Sequence, residues 1–114
     1  MKTAEIIEKL IELFDGPDKW TKNKLSDSRG TRFCVLGGIG KVCNGEPWGV
    51  EDTDVHKVAR ALRIKPSDNE SYGDDELWNG LVEWNNSPET TYEKFMARLR
   101  QGLERAQSRY GHRA

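Results

Sequence analysis

A chain of 114 residues can bury one hydrophobic core and is too short for two. Its 18 basic and 19 acidic side chains leave a formal charge of −1, which excludes a global pull toward nucleic acid or an anionic membrane. No run approaches the roughly 20 apolar residues of a membrane span. Met1 to Glu5 lacks the apolar block of a secretory signal, so a cytoplasmic protein with reduced thiols at Cys34 and Cys43 is expected.

Residues 3–14 carry Ile6, Ile7, Leu10, Ile11, Leu13 and Phe14 at spacings of three and four, which predicts an amphipathic helix. Thr3 is the expected cap, and Gly16-Pro17 the stop. Residues 15–31 read as loop. Between Lys19 and Arg32 this stretch holds five basic residues against one acid, Asp27.

Residues 33–43, Phe-Cys-Val-Leu-Gly-Gly-Ile-Gly-Lys-Val-Cys, are apolar most of the way round a helix, which suits a central element. Three glycines cost an isolated helix roughly 1 kcal/mol each, so this helix should form only when packed, with its glycines admitting a close neighbour. A short strand at 32–36 is the rival reading. Asp52 or Thr53 can cap a helix over 54–63 that Lys65-Pro66 ends. Asp74, Asp75 and Glu76 begin another, with Leu77, Trp78, Leu81, Val82 and Trp84 on it. Asn85-Asn86-Ser87-Pro88 signals a turn. Thr90 with Glu93 fits a capping box for a last helix over 91–109, and a tail from 111 to 114 should fray. The expectation is therefore one all-α domain of four to five helices around a glycine-containing central helix.

Charge is uneven along the chain. Asp68 to Glu89 holds seven acids and no base, and the final helix is rich in arginine. Either the two segments pack antiparallel and attract, or Lys94, Arg98, Arg100, Arg105 and Arg109 form a basic contact surface.

The motifs weigh against catalysis. Gly37-Gly38-Ile39-Gly40-Lys41 fails the phosphate-loop pattern at Val35 and Val42, and fails the dinucleotide pattern at Cys43. Cys34 as a nucleophile would need a base, and only His56 and His112 are available. The cysteines lack metal-ligand spacing, and Asp52 with Asp54, or the run Asp74 to Glu76, suit helix starts better than a cation. Val58 to Ile64 has the flavour of a helix-turn-helix, but the acidic stretch after it would repel phosphates, so DNA reading is not expected. No catalytic residue, cofactor or metal ligand is assigned. The four tryptophans remain. Trp84 before Asn85-Asn86 can floor a ligand pocket shared with Trp20, Cys34 and Gly37, or can close the core edge while the amides make a turn.

Trp20-Thr21-Lys22, Arg32-Phe33-Cys34-Val35-Leu36-Gly37-Gly38 and Leu81-Val82-Glu83-Trp84-Asn85-Asn86 occur in an order that resembles an uncharacterised family of small actinobacterial and phage proteins, a domain of unknown function. Members typically show a loop Trp, then Cys-Leu-Leu-Gly-Ala, then Trp-Asn-Asp before a last helix. Here Gly38 stands for Ala and Asn86 for Asp, so any chemistry or metal carried by that Asp would be missing. The resemblance implies the fold and a possible phage origin in a host cytoplasm, and supplies no mechanism.

Three functions follow as expectations. The first is a non-enzymatic accessory factor that binds a host protein. The second is a counter-defence protein that sequesters a small anionic ligand such as a nucleotide signal. The third is a Cys34 enzyme.

Overall fold

The apolar stripe of Ile6, Ile7 and Leu10 winds Thr3–Leu13 into α1 and is wholly buried. In this computed structural model, residues 1–111 are described, with side chains as far as Ser108. Lys2 occupies the cap position expected of Thr3, which is instead the first helical residue. Pro17–Lys19 form one 3-10 turn inside the loop that follows.

The glycine-bearing segment is helical: α2 spans Val35–Asn44, and every residue from Phe33 to Gly40 is buried. The strand alternative survives only as single bridges from Phe33 to Trp20 and to Ser26. Its glycines admit close neighbours, as their cost requires. A Cβ on Gly38 would lie 2.7 Å from the Phe14 ring, and one on Gly40 would lie 2.6 Å from the Pro47 carbonyl oxygen. The neighbours are thus backbone and an aromatic edge as much as partner helices. Gly45, at φ +83°, ends the helix in the left-handed conformation that glycine adopts at no steric cost.

α3 spans Asp52–Ala61, capped at Glu51 rather than at Asp52 or Thr53. It stops before Lys65-Pro66, because Arg63 turns to φ +54° and Ile64 N donates back to the Ala59 carbonyl. α4 spans Glu76–Asn86; Asp75 caps it, its Oδ1 accepting from the Leu77 and Trp78 amides at 3.0 and 3.1 Å. Asn85 and Asn86, expected in a turn, are its last helical residues, and the turn begins at Ser87. α5 spans Tyr92–Gly111. Thr91 caps it, accepting from the Lys94 amide, in place of the expected Thr90–Glu93 box. Residues 112–114 of the expected tail lie outside the described residues.

α1 lies against α5, α2 and α3, while α3 touches all four other helices. One core cluster unites them, with Phe14, Leu10, Ile39, Leu62, Leu81, Phe95 and Leu99 fully enclosed. Each such side chain contributes roughly 1.5–3 kcal/mol by leaving water. This is the all-α single domain read from the sequence. No helix among the described residues is long and apolar enough to cross a membrane.

Candidate functional site

The Trp-Asn-Asn corner is a clamp. Asn85 Oδ1 accepts from Trp20 Nε1 and from the Val35 amide, both at 2.9 Å. Its Nδ2 donates to the Thr21 carbonyl at 3.2 Å and to Asn86 Oδ1 at 3.1 Å. A carboxamide has two acceptor sites and two donor hydrogens, so Asn85, 1% exposed, has nothing left to give a ligand. Asn86 Oδ1 also takes the Asn23 amide at 2.8 Å, and Lys22 Nζ reaches the Ser87 carbonyl at 2.7 Å. Trp20 and Trp84 both stack on Phe95, with ring centroids 4.8 and 5.2 Å away. The end of α4 thereby fixes the loop at residues 20–23 and the first turn of α2.

Of the six pocket candidates, Cys34, Asn85 and Asn86 line one cavity of about 290 Å³. Trp20 lies in the clamp and Trp84 borders a separate cleft beside α5. Gly37 faces the Leu25 backbone, where a Cβ would lie 1.8 Å from the carbonyl oxygen.

The thiols are not poised as nucleophiles. Cys34 caps α2, its Sγ accepting from the Gly37 amide at 3.4 Å. Burial pushes its pKa up and outweighs the Gly37 and Leu36 amides that favour the thiolate. Burial and the Asp54 carboxylate push Cys43 up to about 11. His56 is turned to Asp75, Nε2 to Oδ2 at 2.5 Å, and not to either sulfur. Among the described residues, no three His, Cys, Asp or Glu side chains gather as a metal site.

The basic residues of α5 separate. Lys94 and Arg98 border a cleft of about 870 Å³ whose other wall carries Asp68, Glu83 and Glu89. The acid-rich segment and α5 thus face each other across open space; among the described residues, no ion pair joins them. Arg100 is exposed, and the Arg109 side chain lies outside the described residues. Arg98 and Arg105 cap α3 from outside. Arg98 donates Nε to the Leu62 carbonyl at 2.7 Å and Nη2 to the Arg63 carbonyl at 3.0 Å. Arg105 Nε reaches the Ala61 carbonyl at 3.0 Å. Three carbonyls at the negative end of α3 are satisfied this way.

Arg105 also enters a groove of about 460 Å³ that the sequence reading did not single out. Thr3 from the first turn of α1, Lys57, Arg60 and Arg63 from α3 and its cap, and Ser108 from α5 line it with Arg105. No carboxylate lines this groove, and among the described residues none pairs with these four cations. Burial, with Arg63 and Arg98 nearby, lowers the Arg105 pKa from its usual value, outweighing the neighbouring Glu104 carboxylate. The sequence held a signal: neither Arg60 nor Arg63 has an acid three or four residues away on its helix.

The fold is a small helical domain with a saturated aromatic–amide clamp and a groove lined by four cations. The chain belongs to the family described as Family of unknown function (DUF6197), whose model matches residues 1–105. That span includes the clamp, both thiols and every groove residue except Ala106 and Ser108. No curated protein matches the chain, and no solved structure does.

Proposed function

We propose that this is a non-enzymatic binding protein that holds a small phosphate-bearing ligand in the groove between α1, α3 and α5. One observation carries the reading: Lys57, Arg60, Arg63 and Arg105 converge on a concave site that no carboxylate lines. Arg105 is already oriented, since its Nε is bound to the Ala61 carbonyl while the rest of its planar donor fork stays free. Arg63 supports the same reading. It sits at φ +54°, where glycine is the ordinary residue, and strain of that kind is retained where a side chain is needed. The groove volume falls within the range of about 300–1,000 Å³ typical of small-ligand sites, and its cations suit the size and charge of a nucleotide. Sequestration without turnover is the mode this geometry serves, in a cytoplasm that keeps Cys34 and Cys43 reduced.

Thermal melts with inorganic phosphate and a panel of mono- and dinucleotides test it. A ligand at a hundred times its Kd adds about 2.7 kcal/mol, a shift of about ten degrees for a chain this long. The shift should vanish in an Arg60→Ala/Arg63→Ala variant. No shift with any anion, or an equal shift in the variant, removes the reading.

Trp48 favours a second reading, a protein partner with an apolar pocket that takes up the indole. It is 68% exposed, on a loop whose Pro47 and Glu46 carbonyls rest against Gly40, and it borders a depression that Leu25, Phe33 and Pro47 line together with Asp27, Arg29, Lys41 and Glu46. An exposed tryptophan is a frequent anchor of such contacts. A purified partner that binds Trp48→Ala as well as the parent chain ends this reading.

A further inference from the structure

A second site lies away from the groove. The cavity of about 290 Å³ beside Cys34 is bounded by the loop at residues 23–25, the start of α2 and one face of α4. Leu25, Val35, Leu36, Trp78 and Val82 give it apolar walls. Tyr72 lines it too and remains 44% exposed, a large aromatic side chain that the core does not take up. This volume sits at the lower limit for small-ligand pockets, so it fits one ring system and excludes a peptide.

The polar groups at the cavity fix the sign of the ligand. Asn85 is saturated, and both lone-pair positions of Asn86 Oδ1 are taken by the Asn23 amide and Asn85 Nδ2. Asn86 is left with its Nδ2 hydrogens, and Lys24 brings an exposed ammonium with no partner among the described residues. Both are donors only, whereas the Asn23 carboxamide and the Tyr72 hydroxyl, which also line the cavity, can donate or accept; no carboxylate lines it. An apolar chamber whose one charged lining group is a cation calls for a ligand with an apolar body and an anionic acceptor. We propose that this cavity binds a small aromatic carboxylate, its ring packed against Trp78 and Val82 and its carboxylate held by Lys24 and the Asn86 amide. The proposal is independent of the phosphate groove.

The test is a titration of the full chain with phenylacetate, followed by two-dimensional amide NMR, with benzyl alcohol as the uncharged analogue. Saturable shifts are expected at the Cys34, Val35 and Leu36 amides and the Trp78 indole. Lys24→Gln, an exposed substitution that leaves the core intact, should weaken binding about tenfold, equivalent to about 1.4 kcal/mol. Benzyl alcohol should be weaker by a similar factor. Val82→Trp should fill the chamber and abolish the shifts. If Val82→Trp does not fold, Lys24→Gln and the analogue still decide. Absence of saturable shifts at millimolar phenylacetate overturns the proposal. So do shifts centred on Arg60 and Arg63, and so does unchanged affinity in Lys24→Gln. Phosphate binding at the groove would be unaffected by any of these results.

Discussion

Trp20 and Asn85, 65 residues apart in the chain, are joined by a hydrogen bond of 2.9 Å from the indole Nε1 to the amide Oδ1. The same oxygen takes the Val35 amide, so one side chain at the end of α4 fixes both a loop and the start of the most buried helix. The indole is held a second time by its stacking on Phe95.

Replacing Asn85 with Ala strands the buried Val35 amide and leaves the half-buried Trp20 Nε1 donor and Thr21 carbonyl without their partner. Each stranded group costs about 1–3 kcal/mol. Asn85→Ala should therefore lower the unfolding free energy by at least about 2 kcal/mol. Urea denaturation followed by tryptophan fluorescence measures it. A loss within error of zero shows that the clamp is ornamental.

Gly37→Ala should be more damaging than its position on a helix suggests. Alanine favours helix by about 1 kcal/mol over glycine, yet here the added Cβ would lie 1.8 Å from the Leu25 carbonyl oxygen. Overpacking against backbone costs about 1–3 kcal/mol or more, so the net effect is destabilising. A thermal melt at or above that of the parent chain would contradict the close approach of the loop.

Arg63→Gly separates stability from binding. Glycine accepts φ +54° freely, whereas a side chain there costs about 1–2 kcal/mol. The variant should melt higher and bind phosphate more weakly, because one groove cation is gone. Calorimetric titration alongside the melt tests both halves; a variant that binds as well as the parent counts against the groove.

Acid should act through Asp27. The Arg32 and Thr31 amides, bound at 3.1 and 2.8 Å, hold its pKa at about 2 against an ordinary 3.8. A lowered folded-state pKa contributes stability that is complete above the unfolded value and is lost as pH falls through the folded one. The parent should therefore lose stability between about pH 4 and pH 2 more steeply than Asp27→Asn. Parallel slopes over that window would show that the loop gains nothing from the charge.

Both cysteines should resist alkylation at neutral pH, Cys34 because burial keeps it protonated and capping α2, Cys43 because its pKa is pushed up to about 11. Mass spectrometry after iodoacetamide treatment of native protein reads this. Rapid labelling of Cys34 would reopen thiol chemistry.

The helices were legible because periodicity is local. Ile6, Ile7 and Leu10 on one face, or Val55, Val58 and Leu62 on another, announce buried stripes whatever surrounds them. Glycine cost likewise implied that residues 33–43 needed a close neighbour, although not that Leu25 and Pro47 carbonyls would be among those neighbours. Helix caps slipped by a residue or more, since Glu51 and Thr91 compete with equally plausible neighbours. The sites depended on tertiary structure. Composition cannot show that Asn85 spends every hydrogen bond on the fold, or that Arg98 and Arg105 serve as caps for α3. Nor can it show that Arg60 and Arg63 meet Arg105 across a groove. Those outcomes are set by distances between residues far apart in the chain, and a hydrogen bond or a charge cluster exists only where packing brings its members within a few ångströms.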